Sequence, residues 1–474
     1  AGLIESETGQ ILLDRRNGQL RVSTLAMEAL AHSSLRTPVD LGIMTVEDAD
    51  GPGAVALASI DAEPSLETSH RFLLVFVTDA RNTDMRFRDS EEKVARFRAE
   101  KGLLQVSDTE TIAAKQLSEY YFDYMQGQGF HERLARYSSL PLIAEIEGDT
   151  QRQPWGGLPL PAMLCARLSA DDHGKIFSLW AERTGAQLTL LSAPAVPDPR
   201  PDWWQLARQD WEQLYHSDRL DLMVGEFEGL IADIEALTGR RFDAEAFSRY
   251  MDAIDRQEEI FEEASALVAE AAQCPIRISE QIPNVMIPQW HRGSDWAIDH
   301  ARRFRDELAE RVEAGTSVVA DEKIRMMWIG AGLWFDTGFY AAFEQSHGAA
   351  FVWSMYLPFA ADGYRRASNG DPLRALAARV SAMNEQLHQP PWINAWMVEQ
   401  ARKYRIDVAL MLIPQHDRFS GHGSLYAKAA LEAAGVKVIE VWSDMVDQRD
   451  WDREAVVARI TPVLDGVLEE KRLT

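Results

Sequence analysis

Cysteine is nearly absent from this chain, with Cys165 and Cys274 the two examples in 474 residues and no CxxC pair. That count excludes a disulfide framework, a four-cysteine zinc site and an iron–sulfur cluster held wholly by this chain's thiolates. No run of about 18 apolar residues occurs, so no segment reads as a transmembrane helix. The opening AGLIESETGQ has no basic stretch leading into an apolar one, which makes a cytoplasmic protein the expectation. Basic residues are in deficit, 49 against 74 acidic, and a net charge of −25 repels polyanions. Nucleic acid is therefore not an expected partner. GxxxxGK[ST], HExxH and GxSxG are all missing, which removes the usual footing for a P-loop nucleotide site, a helical zinc protease and a serine hydrolase.

What is present is the pattern of a globular protein of more than one domain, since a single core rarely serves so long a chain. The organising stretch is Lys323 to Leu357. Ile324 to Ile329 is a short apolar run, Gly330 and Gly332 break it, and an aromatic-rich segment then reads as a helix to His347. Gly348 closes that helix and Ala349 to Met355 is a second apolar run, so the whole predicts a βαβ unit and hence a parallel sheet. Ile406 to Ile413 and Val436 to Trp442 predict two further strands, with a helix from Ser424 to Ala434 between them. Asp371-Pro372 predicts a helix start with the acid as cap, and Trp392 to Arg402 another helix. Apolar residues at 456, 457, 460, 463, 464, 467 and 468 give the last helix one buried stripe.

The first half repeats the theme more loosely. Arg71 to Thr78, Leu142 to Ile146, Ala162 to Leu168 and Gln187 to Leu191 read as strands, and Asp89 to Met125 as mostly helical. Four prolines between Pro194 and Pro201 mark a boundary, and helical periodicity then runs from Trp203 to about Gln273. The predicted division is a peripheral subdomain over 1–70, an α/β domain over 71–200, a helical connection over 201–320 and a second α/β domain over 321–474.

In parallel sheets ligands sit beyond the carboxyl ends of the strands, so the loops there are the candidate site. Asp172 and His173, and His416 next to Asp417, supply carboxylate and imidazole for acid–base work, and are the catalytic candidates. Helix capping is the plainer role for the aspartates, and a hydrogen-bonded surface position for the histidines. A metal held by His173, His416 and nearby carboxylates is a weaker alternative, and no metal ligand is assigned. Gly330 and Gly332 permit a tight turn or a close approach by a ligand, although Phe335 stands where a dinucleotide fingerprint needs its third glycine. Trp334 and Tyr356 are placed to stack on a flat ligand, and Arg365 to meet phosphate or carboxylate, against the alternative that such aromatics are core. Cys165 lies in an apolar strand, where an inert buried thiol is expected.

The order of these pieces resembles the 2-hydroxyacyl-CoA dehydratase and benzoyl-CoA reductase subunits. The likeness is carried by KIRMMWIGAGLW, HGAAFVWSMY, RIDVALMLIPQHD and LEAAGVKVIEVWSD, with a looser match at AMLCARLSADDHGKIFSLW and QLTLLSAP. The resemblance implies two flavodoxin-like, doubly wound parallel-sheet domains joined by helices. It also implies a homologous partner subunit, an ATP-hydrolysing activator protein that delivers an electron, and a CoA-thioester substrate. Cluster-bearing members of that family supply three cysteines to an iron–sulfur cluster, one of them after the third strand of the second domain. Here Gln415-His416-Asp417 takes that place and Ala170-Asp171-Asp172 fills the first-domain loop. The resemblance therefore implies a cluster-free chain whose cysteine-bearing partner holds the iron. The alternative is a cluster-independent enzyme, or a non-catalytic binding or scaffold protein, on the same fold.

Overall fold

The computed structural model describes residues 123–130, 162–168, 173–192, 200, 202–281, 284–285, 292–330, 333, 336–355, 357, 368–388, 392–414, 423–443 and 448–473, with five short strands before residue 76. Two antiparallel pairs come first, β1 (Ile4–Glu5) with β2 (Gln10–Ile11) and β3 (Met44–Asp48) with β4 (Gly51–Val55). β5 (Leu74–Val75), β6 (Met163–Arg167) and β7 (Gln187–Leu191) then form a parallel sheet in that order. Of the strand predicted over Arg71 to Thr78, Leu74 and Val75 are described, paired with Met163 and Leu164, and the rest lies outside the described residues. The predicted strand at Leu142 to Ile146 and most of the helix predicted over Asp89 to Met125 lie outside the described residues.

α1 (His173–Thr184) crosses from β6 to β7 and buries Ile176, Phe177 and Trp180. The helical stretch resolves into α2 (Trp203–Gln209), α3 (Trp211–Leu214), α4 (Ser217–Thr238), α5 (Ala244–Glu270) and α6 (Asp295–Glu313). Its breaks are chemical. Gly239 ends α4 at φ 71, a left-handed backbone that glycine adopts without penalty, and the Asp243 carboxylate accepts from the Ala246 amide to start α5. Ile298, Phe304 and Leu308 are buried on α6, and their spacing puts them on one face of the helix.

The second sheet contains β8 (Ile324–Ile329), β9 (Ala349–Ser354), β10 (Val408–Pro414) and β11 (Lys437–Ser443), all parallel, in the order β11-β10-β8-β9. Every residue of β8, β9 and β10 is buried, as strands covered on both faces require, whereas the outer β11 exposes Lys437 and Trp442. Between β8 and β9 the segment read as one helix is instead a 3-10 turn at Thr337–Ala341 followed by α7 (Glu344–His347). Trp328, Phe339, Tyr340 and Phe351 explain the break, because their edge-on ring contacts fix each aromatic at a depth that a straight helix would not give. α8 (Pro372–His388) starts where Asp371 accepts from the Arg374 amide, and α9 (Trp392–Lys403), α10 (Ser424–Ala433) and α11 (Arg453–Leu473) complete the half. One continuous apolar core runs from Met163 and Cys165 through the helices to the second sheet. Among the described residues, no helix is long and apolar enough to cross a membrane.

Candidate functional site

Within the second sheet the chain goes from β8 out to β9 on one side and returns to β10 on the other. That reversal makes the crevice beyond Ile329 and Pro414 the switch point where doubly wound sheets take ligands. Gly330 stands at its base with φ 95, and a Cβ there would lie 2.7 Å from the Leu412 carbonyl of β10. The close approach foreseen for this glycine is therefore made by the neighbouring strand.

Beyond Gly330, a line of described residues anchors the crevice edge. The Leu333 amide donates to the Tyr340 hydroxyl at 2.9 Å inside the core. The two oxygens of Asp336 accept from the Trp451 indole at 2.8 Å and the Arg453 guanidinium at 2.9 Å, while Arg453 also donates to the Gly338 carbonyl at 3.0 Å. Arg449, two residues before Trp451, pairs with Asp123 at 2.8 Å and so brings residues 123–130 to the same edge. Sequence reasoning does not single these residues out. The available signal was polar side chains directly past a strand-end glycine, in FDTG, and at a helix start, in RDWDR.

Of the predicted site residues, Gly330 is placed at the crevice, and His173 is the first residue of α1, past the carboxyl end of β6. Asp172, His416, Gly332, Trp334, Tyr356 and Arg365 lie outside the described residues, as does the His173 side chain. A separate cavity of about 60 Å³ opens between α5, α6, α9 and the end of β9, lined among others by Glu258, Phe261, Phe304, Trp353 and Tyr404. It has room for a few waters and is far below the size of a CoA-thioester site. Beside it the buried Glu258 pairs with Arg379 and, at 3.3 Å, with Arg292, joining α5 to α8 and to the turn before α6. Burial pushes the Arg379 guanidinium down to about 10.

An iron–sulfur cluster requires thiolates that converge on one point. Cys165 lies in β6, opposite Thr189 of the first sheet. Cys274 packs against the second, with its Sγ donating to the Ile276 carbonyl at 3.1 Å and standing 4.0 Å from the Phe351 carbonyl. Both are buried, and burial pushes each thiol up to about 12. Two buried thiols, one in the first sheet and one packed against the second, do not fit such a cluster. Among the described residues no group of three or more His, Cys, Asp and Glu is arranged to hold a metal ion either.

The family described as 2-hydroxyglutaryl-CoA dehydratase, D-component, matches residues 115–465. The alpha subunit of (R)-phenyllactyl-CoA dehydratase from Clostridium sporogenes is 20% identical over 225 residues, 47% of this chain. The match spans about half, 51%, of that relative's length. The family match takes in every strand from β6 to β11 and the crevice between β8 and β10, and on that ground the chain belongs to the 2-hydroxyglutaryl-CoA dehydratase D-component family.

Proposed function

We propose that this chain is a cluster-free subunit of a 2-hydroxyacyl-CoA dehydratase-type complex, in which a homologous cysteine-bearing subunit holds the iron–sulfur cluster. The single observation that carries the reading is the family match from β6 through β11, in a chain whose two thiols are both buried. The relative from Clostridium sporogenes is a dehydratase subunit, which favours loss of water from an acyl-CoA thioester over ring reduction of an aroyl-CoA. The order of the second sheet, 2-1-3-4 in chain terms, supports a flavodoxin-like domain there. The first sheet is proposed as its counterpart, with domain boundaries near 70, 200 and 320. The thioester is placed at the β8–β10 crevice, where Gly330, Gly332, Trp334, Tyr356 and Arg365 would bind it. Asp172, His173 and His416 would handle protons. The complex would work in the cytoplasm with an ATP-hydrolysing activator.

Anaerobic purification of the native protein, with identification of co-purifying chains by mass and assay of iron and acid-labile sulfide, tests this. The expected result is a stable complex with a cysteine-rich homologue, iron and sulfide together, and dehydration of a 2-hydroxyacyl-CoA once activator and ATP are supplied. A chain that purifies alone and without iron overturns it.

A further inference from the structure

The contacts at the carboxyl edge of the second sheet have a shape that the fold alone does not require. Residues 448–453 reach in two directions at once. Trp451 and Arg453 hold Asp336, 115 and 117 residues earlier, and Arg449 holds Asp123, 326 residues earlier. The Trp451 ring also meets Phe339 edge-on at 5.1 Å, and Phe339 in turn meets Trp328 of β8 at 6.1 Å. The segment is therefore seated on the core through aromatic contacts while its polar atoms face outward to two separate stretches of chain. Asp336 is half-buried, and its two oxygens take one indole donor and one charged guanidinium donor. Such a pair of bonds fixes a carboxylate in position as well as in depth. Counting from Gly330, which is wedged beneath the Leu412 carbonyl, the chain past β8 is held at Gly330, Leu333 and Asp336.

We propose that residues 449–453 are a positioning bracket for the crevice, with Asp336 as the positioning residue that couples the bracket to the segment past β8. The inference rests on the reading of that crevice as the CoA-thioester site. The bracket touches no reacting atom. Its role is to hold Asp336 and the turn at Thr337–Ala341 in one arrangement, so that a ligand meets a preformed edge and does not have to order it on binding. Arg449 and Asp123 add an exposed ion pair between the bracket and residues 123–130.

The test uses the full chain, purified with whatever subunits accompany it, and the variants Asp336→Asn and Trp451→Phe. Trp451→Phe removes the indole N–H and keeps an aromatic ring against Phe339, so it remains informative if Asp336→Asn folds poorly. Hydrogen exchange is followed by mass on peptides covering 330–341 and, for comparison, 408–414. Binding of CoA, used as the probe, is followed by calorimetry. The expected result is exchange at 330–341 about tenfold faster in both variants, exchange at 408–414 unchanged, and CoA affinity about tenfold weaker at an unchanged melting temperature. Exchange over 330–341 at the unmutated rate in both variants overturns the bracket. So does faster exchange with undiminished CoA affinity, since the segment would then be held without consequence for the crevice. Failure of the unmutated protein to bind CoA counts against the crevice as the thioester site, and exchange alone then judges the bracket.

Discussion

The two edges of the second sheet are built on opposite principles. At the amino edge, buried polar groups are joined to one another and to backbone. Arg325, a charged residue at the second position of the otherwise apolar β8, donates to Glu322 at 2.8 Å, to the Tyr404 carbonyl at 3.3 Å and to the Ala271 carbonyl at 2.7 Å. Its amide donates to Asp407 at 2.8 Å, and Lys471 of the last helix reaches the same carboxylate at 2.7 Å. Arg405 joins Arg325 at the carbonyl end of α5, donating to Ala269 and Ala271, where orphan carbonyls and the negative end of the helix dipole favour cations. At the carboxyl edge the described anchors are fewer and lie along one short segment, Gly330 to Asp336, with Trp451 and Arg453 behind it. The lesson is a division of labour. The amino edge fastens the helical region to the sheet, and the carboxyl edge anchors one short segment at the switch point.

Breaking the amino edge has the largest expected effect. Arg325→Ala leaves Glu322 deep in the protein without its guanidinium and strips the Ala271 carbonyl of a donor. The expected loss is about 3–5 kcal/mol, read as a lower urea midpoint or insoluble expression. Next comes Gly330→Ala at the other edge. Both the backbone, at φ 95, and the space, 2.7 Å to the Leu412 carbonyl, oppose a methyl group. The expected cost is about 2–3 kcal/mol, and CoA affinity falls with it. If Gly330→Ala proved neutral for stability, the described wedge against β10 would be wrong. The contrast sharpens if Arg325→Ala, rescued by low temperature, still binds CoA normally.

Much of the second half was legible, because the runs at 324–329 and 408–414 are apolar but for Arg325 and bounded by turn residues, and runs of that kind mark a strand buried on both faces. Asp371 could be read as a helix start for a local reason too, its carboxylate accepting from the Arg374 amide. Arg325 was invisible as a latch, since its partners at 271 and 404 are distant in sequence, and a charge inside a strand gives no hint of what will satisfy it. Asp336 was missed on the same ground. The 3-10 turn at Thr337–Ala341 replaced the predicted helix because ring packing on Trp328 overrode local propensity. In the first half the runs at 162–168 and 187–191 were legible in the same way, as β6 and β7.

The helical region tests whether the core between the sheets tolerates acid. His300 on α6 is buried, bonded to Asn284 at 3.0 Å, and held neutral, with burial and then the Arg303 charge pushing it down to about 3. An unfolded histidine titrates near 6.5, so between roughly pH 6.5 and 3 the unfolded chain binds a proton that the folded chain refuses. This contribution to stability is present above pH 6.5 and is lost as the pH falls through that window, with a slope of at most about 1.4 kcal/mol per pH unit. Urea midpoints at pH 7, 6 and 5 check it, and His300→Gln should flatten the slope. The smallest effect returns to the amino edge. Lys471 has a 44% exposed side chain, and its ion pair with Asp407 is screened by water, so Lys471→Ala should cost no more than about 0.5–1 kcal/mol and less still in salt. Arg325→Ala removes a guanidinium whose side chain is 7% exposed and leaves the amide bond to Asp407 in place, whereas Lys471→Ala removes an ammonium whose side chain is 44% exposed. If the two substitutions cost the same, burial would not be what makes this edge strong, and the contrast between the edges would have to rest on the number of contacts alone.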